Sequence, residues 1–219
     1  PDSTAAHPDE DWRDADNDPN DWGGHGTLAA GVVGALTDNH IGVAGMAWKV
    51  RLMPLRVGWA KPNLSSELDL SDAAQAIRYA TLMGATVINL SFSTVQQGDF
   101  DAAVAAATGS GVVVVLAAGN NGSTNDLANR LDVIAVGAVD RDDVVTRFSN
   151  SDPYVDLVAP GVSLATTAFR RIEFSDSVGR RIPSYADGAT GTSFSAPLVA
   201  GAVALLQARR RAQGLAPLS

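Results

Sequence analysis

Val112-Val113-Val114-Val115-Leu116-Ala117-Ala118-Gly119-Asn120 is the stretch on which the fold turns. Its first five residues are apolar and mostly β-branched, with no polar alternation. Such a run suits a parallel strand buried on both faces, because helices cover both sides of a parallel sheet. Thr86-Val87-Ile88-Asn89-Leu90 and Val133-Ile134-Ala135-Val136 are two more runs of the same kind. Helix-like stretches lie between them. Asp72–Met83 has Ser71 as a candidate N-cap and Gly84 as a stop. Phe100–Thr108 is rich in Ala and ends at Gly109. The strand–helix–strand alternation predicts an α/β fold, a three-layer sandwich around a mostly parallel central sheet.

Outward from this centre, no internal repeat or linker divides the chain. Its 219 residues are read as a single domain, enough to bury a full core. Gly58–Asp69 is rich in Pro and Ser and reads as a surface loop. Phe169–Pro183 carries Arg170-Arg171 and Arg180-Arg181 around Ser177-Val178-Gly179, as a hairpin excursion would. Gly214–Ser219 looks like a loop leading into a further helix. Composition excludes several functions. There is no Cys, hence no disulfide and no thiol chemistry. A net charge of -8 argues against nucleic acid as a partner. No apolar run is long enough for a membrane span. Residues 1–24 are acidic and contain Pro, unlike a signal peptide, and the chain starts at Pro1 without Met. It is therefore read as a mature or trimmed piece.

Three segments carry reactive side chains. In Gly191-Thr192-Ser193-Phe194-Ser195-Ala196-Pro197, Ser193 opens a predicted helix, Ser193–Ala208, with Pro197 in its first turn. A Ser hydroxyl needs a base to become a nucleophile, and a helix N-terminus favours negative charge beside it. In Gly24-His25-Gly26-Thr27, His25 precedes an Ala/Gly/Val-rich helix, Leu28–Leu36, and is the candidate base. Asn120 follows the central strand, beyond whose carboxyl end ligands bind in parallel sheets. Its carboxamide can donate to a tetrahedral oxyanion, with the Ser193 backbone N–H as second donor. Each segment also has a bland alternative. Ser193 would serve as a helix cap, His25 as a structural histidine, and Asn120-Asn121-Gly122 as a turn.

Taken together these segments resemble the subtilisin-like serine peptidases. The order His25, Asn120, Ser193 matches, as do His7-Pro8-Asp9, Ile41-Gly42-Val43-Ala44-Gly45-Met46-Ala47, Val87-Ile88-Asn89-Leu90-Ser91, Val133-Ile134-Ala135-Val136-Gly137-Ala138 and Leu157-Val158-Ala159-Pro160-Gly161. The resemblance runs from about His7 to Gln207. It implies a subtilisin-like α/β fold and endopeptidase activity through an acyl-enzyme. Ser193 would be the nucleophile, His25 the general base and Asn120 the oxyanion donor. It also implies peptide or protein substrates, a pro-peptide or upstream segment as partner, and a secreted, extracellular or periplasmic location.

The match has departures. In the family a catalytic Asp, in an Asp-Thr/Ser-Gly turn, precedes the His-Pro-Asp. Counting back from His7 puts it just before Pro1. Asp2-Ser3-Thr4 is the resident candidate, with Thr4 where Gly is expected. The chain is therefore expected to lack its first strand, bearing that Asp, and its C-terminal helix. Leu28 and Leu198 stand where many relatives carry His, and Phe194 where Met is frequent. The resemblance places substrate along Leu68–Leu70 and Ser91-Phe92-Ser93 by strand addition, with Leu70, Ser91, Phe92, Ser93 and Gly119 as binding residues. Phe92 suggests an apolar pocket wall; Ser91-Phe92-Ser93 lacks the usual Gly and Asn121–Leu131 is short.

The resemblance further implies structural Ca²⁺, held by Asp9, the Asn39 side chain and the carbonyls of Leu36, Ile41 and Val43, with Asp38 as a substitute for Asn39. Oxygen ligands of this kind suit Ca²⁺. Asp14, Asp16, Asp18 and Asp21 offer a second calcium site or a solvated acidic loop. Two rivals remain. One is a non-catalytic or incomplete subtilase-like binding or assembly domain, needing an Asp from another segment. The other is a Gly-x-Ser-x-Gly esterase, disfavoured by Ser195 in the last Gly position and by a base that precedes Ser193.

Overall fold

The computed structural model describes residues 21, 23–60, 66–92, 98–122, 130–151, 153–169 and 184–218. In chain order the elements are α1 (His25–Gly34), β1 (Gly58–Ala60), β2 (Ser66–Leu68), α2 (Leu70–Leu82), β3 (Val87–Leu90), α3 (Gly98–Gly109), β4 (Val113–Ala117), β5 (Ile134–Val139), β6 (Leu157–Pro160), β7 (Leu164–Thr167), β8 (Tyr185–Ala189) and α4 (Thr192–Ala212). Strands β3, β4, β5 and β6 form one sheet in that order, parallel throughout. Val87 lies opposite Val113, Val115 opposite Ile134, and Val136 opposite Leu157.

The unbroken apolar run of β4 is explained by its two faces. Val114 and Leu116 pack with Phe100, Val104, Ile77 and Ala73, beneath α2 and α3. Val115 and Ala117 face the other way and pack with Val136, Ala196 and Ala200, beneath α4. Successive strand residues point to opposite faces, so a polar residue anywhere in β4 would be buried unpaired. The result is the expected α/β sandwich, helices on both faces of a mostly parallel sheet. Phe100 is fully buried; removing such a ring costs about 3–5 kcal/mol.

Some boundaries differ from the sequence-based expectation. Helix α2 is capped by Asp69 rather than Ser71: its carboxylate accepts from the N–H of Ser71 (2.7 Å) and of Asp72 (3.4 Å). Asp69 takes an extended backbone, as an N-cap requires. The segment read as a loop holds β1 and β2, an antiparallel pair. β7 and β8 are also antiparallel, with Thr167 opposite Tyr185. They flank the expected hairpin excursion, whose residues 170–183 lie outside the described residues. After α4 no further helix begins among the described residues. The tail turns back on α4: Leu218 N–H donates to Gln207 Oε1 (2.9 Å), and Gln207 Nε2 donates to the Leu218 carbonyl (3.0 Å).

Candidate active site

The site is built at the carboxyl end of β4 and the N-termini of two helices. Ala118 N–H still bonds to the Val136 carbonyl (2.9 Å), which extends the sheet by one residue. Gly119 then takes φ +110, a conformation that side chains rarely adopt, and turns the chain outward. Asn120 follows at the surface. Its Oδ1 accepts from the backbone N–H of Thr192 (2.8 Å) and from Thr192 Oγ1 (3.0 Å). Thr192 Oγ1 in turn accepts from Gly119 N–H (3.1 Å). Because Thr192 N–H can only donate, it assigns the amide: oxygen toward Thr192, and the Nδ2 hydrogens as the donors on offer.

Thr192 is the first residue of α4, and Ser193 the second. Early helical N–H groups have no intrahelical acceptor. Asn120 takes that of Thr192, and that of Ser193 is a second donor at the same helix end. Pro197 was expected in the first turn, but α4 starts earlier than expected, so Pro197 lies deeper inside the helix. There it lacks the N–H that would bond the carbonyl four residues back, which is that of Ser193. The Ser193 carbonyl accepts instead from Ser91 Oγ (2.7 Å), and Ser91 Oγ accepts from Asn89 Nδ2 (2.9 Å). Ser91, expected in substrate binding, thus ties the end of β3 to the serine. Ser195, the neighbouring serine, is fully buried and donates to the Ala159 (3.0 Å) and Pro160 (3.2 Å) carbonyls.

His25 is the first residue of α1, which packs against α4. Its ring lies 5.4 Å, centroid to centroid, from that of Phe194, next in sequence to Ser193. Leu28 and Leu198 line the same contact, packed on Val32, Ala189 and Phe194. These leucines keep the α1–α4 contact apolar. Asp21 organises the start of α1. It accepts from Gly24 N–H (2.8 Å), Thr27 N–H (2.6 Å) and Thr27 Oγ1 (2.8 Å). Both carboxylate oxygens of Asp21 thus hold the start of the helix. The other side of α1 is clamped by β7. Thr167 Oγ1 donates to the Thr27 carbonyl (2.8 Å) and Thr166 Oγ1 to that of Leu28 (2.7 Å). Gly31 permits this approach: a Cβ there would come within 2.1 Å of Thr167 Oγ1. Burial lowers the His25 pKa below its usual 6.5, and the Asp21 charge pulls it partly back up. The net shift favours the neutral ring, the form in which an imidazole can accept a proton.

The other expected residues fall out as follows. Leu70 is the first residue of α2 and packs on the core, so it is no edge-strand residue. Phe92 also packs on that core, 6.1 Å from the Phe100 ring. Phe92 is itself half-buried. Gly119 is buried behind Asn120. Asp2, Asp9 and Ser93 lie outside the described residues, as do Asp14, Asp16 and Asp18. Of the expected calcium ligands, Leu36, Asn39, Ile41 and Val43 lie on the loop after α1, where Asn39 Oδ1 accepts from Ile41 N–H (3.0 Å). These are neutral oxygens, and Ca²⁺ sites draw on carboxylates. No group of His, Asp or Glu side chains able to hold a metal occurs among the described residues. The carboxylates open to such a site are Asp38, on the same loop, and Asp9, outside the described residues.

Asp21, Asn89, Thr192 and Asn150 were not singled out as active-site groups from sequence. The signal for Asp21 was its place four residues before His25, ahead of a helix start. Asn150 approaches the Asn120 turn only in three dimensions.

Comparison with known proteins finds relatives of this chain. A model of the Subtilase family matches residues 2–217. A thermophilic serine proteinase of Bacillus sp. (strain AK1) is 42% identical over 204 residues, covering 92% of this chain and 47% of that protein. Thermitase of Thermoactinomyces vulgaris is 36% identical over 204 residues, covering 92% and 67%. The chain thus spans about half the length of the Bacillus relative. Among solved structures, the prenylagaramide maturation protease PagA superposes with a TM-score of 0.75 at 26% identity, covering 88% of this chain and 67% of that one.

Proposed function

Since this chain belongs to the subtilase family of peptidases, we propose that it is a serine endopeptidase working through an acyl-enzyme on peptide or protein substrates. The observation that carries the proposal is that the three groups gather at one helix start. Asn120 is hydrogen-bonded to Thr192, the residue before Ser193, and the His25 ring lies 5.4 Å from that of Phe194, the residue after it, tilted by 43°. In this reading Ser193 Oγ attacks the peptide carbonyl carbon while His25 takes the hydroxyl proton. The carbonyl oxygen becomes an oxyanion and accepts from Asn120 Nδ2 and Ser193 N–H. His25 then protonates the leaving amine, the C–N bond breaks, and water repeats the sequence on the ester. The imidazolium formed on the way needs a carboxylate at its second nitrogen. Asp21 already accepts from Gly24 and Thr27, and this reading gives the role to Asp2 or to a carboxylate supplied by another segment.

Ca²⁺ is proposed on Leu36, Asn39, Ile41, Val43 and Asp9, where it would tie the chain before α1 to the loop after it. A pro-peptide or upstream segment as partner and a secreted location belong to the same proposal. No helix among the described residues is long and apolar enough to cross a membrane. The test is labelling with a fluorophosphonate, read by peptide mass mapping, alongside cleavage of end-blocked peptides. Label on Ser193, lost in Ser193→Ala and greatly slowed in His25→Ala, is the expected result. Label on another residue, or none on the full-length protein, overturns the proposal.

A further inference from the structure

Asn120 sits on a turn, and turns of this length are not rigid by themselves. What holds this one is Asn150, which the catalytic scheme does not use. Asn150 is 2% exposed. Its Nδ2 donates to the Ala118 carbonyl (2.8 Å), and its Oδ1 accepts from Asn121 N–H (3.3 Å). Its own backbone N–H donates to the Gly119 carbonyl (3.0 Å). One residue therefore grips the chain on both sides of Asn120. The grip is itself anchored. Ser149 Oγ donates to the Asn150 carbonyl (3.0 Å) and accepts from Ala138 N–H (2.9 Å) on β5. Gly122 N–H bonds to the Phe148 carbonyl (3.1 Å). Gly119 fits against this arrangement, since a Cβ there would lie 2.5 Å from Asn150 Nδ2.

We propose that Asn150 is a positioning residue for the oxyanion donor Asn120, acting through the turn 118–121. The inference rests on the peptidase reading above. Thr192 fixes the oxygen of the Asn120 amide, but that alone leaves the backbone beneath it to choose the direction of Nδ2. Oxyanion donors act only within a narrow range of distance from the developing charge, so a small shift of the turn lowers turnover. A donor that acts on the developing oxyanion contributes in the transition state, so the loss falls on kcat rather than on KM.

The test is a double-mutant cycle on the full-length protein, with Asn150→Ala and Asn120→Ala singly and together. Asn150→Ala is expected to lower kcat by about tenfold or more and to leave KM within about twofold. In the Asn120→Ala background the same substitution is expected to cost less than about twofold, because the donor it positions is gone. Equal losses in the two backgrounds mean that Asn150 only stabilises the fold, and overturn the inference. No loss from Asn150→Ala overturns it while leaving the peptidase reading intact. No loss from Asn120→Ala overturns both. Where Asn150→Ala fails to fold, Asn150→Ser carries the same cycle. An independent readout is the Asn120 side-chain amide pair in a nitrogen–proton NMR spectrum. It is expected to shift in Asn150→Ala, and an unchanged pair refutes the positioning role.

Discussion

Replacing Asp21 by Ala separates two things that its carboxylate does at once. It accepts from two backbone N–H groups, Gly24 and Thr27, and from the Thr27 hydroxyl. The hydroxyl can rotate to another acceptor, so the loss concentrates on the two backbone donors. Gly24, the formal cap of α1, offers no side chain to replace them. A single lost capping bond costs about 0.5–2 kcal/mol. Two together, at a half-buried site, predict a loss of about 2–3 kcal/mol. For a domain of this size that is a fall in Tm of about 4–12 °C. The second effect is electrostatic. Burial lowers the His25 pKa and Asp21 raises it, so without Asp21 the ring titrates lower still. The acid limb of kcat/KM therefore moves to lower pH. The sign for stability follows. A depressed folded pKa contributes stability that is full above pH 6.5 and is lost as pH falls through the folded value. Removing Asp21 widens that window toward acid. Thermal unfolding measures the first effect, and NMR titration of the imidazoles of a chain with three histidines measures the second. An unmoved Tm, or a His25 midpoint that stays put or rises, refutes the reasoning.

Other perturbations address the remaining groups. Asn120→Ala is expected to lower kcat by about 10²–10³ with KM nearly unchanged, a magnitude established on subtilisin itself; a loss carried by KM would make Asn120 a substrate-binding residue instead. Ser91→Ala leaves the Ser193 carbonyl without its donor, because Pro197 cannot supply one. Unfolding by denaturant is expected to show about 1–3 kcal/mol of destabilisation, and a neutral result would mean that the bond has no net worth. Chelation by EGTA is expected to lower Tm if Ca²⁺ binds only the folded chain, and Asp9→Ala to abolish that response. A Tm indifferent to both removes calcium from the scheme.

The oxyanion turn and the nucleophile turn are bridged by Thr192, a residue already inside the sequence segment that announced Ser193. The two turns were legible because both adjoin regular elements whose ends sequence marks well, whereas the Thr192 bridge between them was not. The apolar run of β4 required cover on both faces, and with it a parallel sheet between helices. His25, Asn120 and Ser193 were legible because each stands where a helix starts or a strand ends among small residues. Helix limits were less so. Asp69, not Ser71, caps α2, since a cap is chosen by which carboxylate the extended chain brings under the first N–H groups. Pro197 was visible in sequence, but its effect on the Ser193 carbonyl depended on where α4 begins, and the replacement donor, Ser91, is remote in the chain. Phe92 and Leu70 look like pocket residues in a string of letters, yet each is half-buried and packs one side on the core, because only packing decides which face of a chain end is covered. Asp21 and Asn150 carried no motif. Their roles arise from hydrogen-bond geometry across a folded turn, to Gly24 and Thr27 in one case and to Ala118, Gly119 and Asn121 in the other. Sequence by itself determined the layered α/β fold and singled out His25, Asn120 and Ser193 as the candidate groups, because periodicity and residue chemistry are local properties. Tertiary structure alone decided what holds those groups in place, because a hydrogen-bond partner is selected by distance in space, and spacing along the chain does not record it.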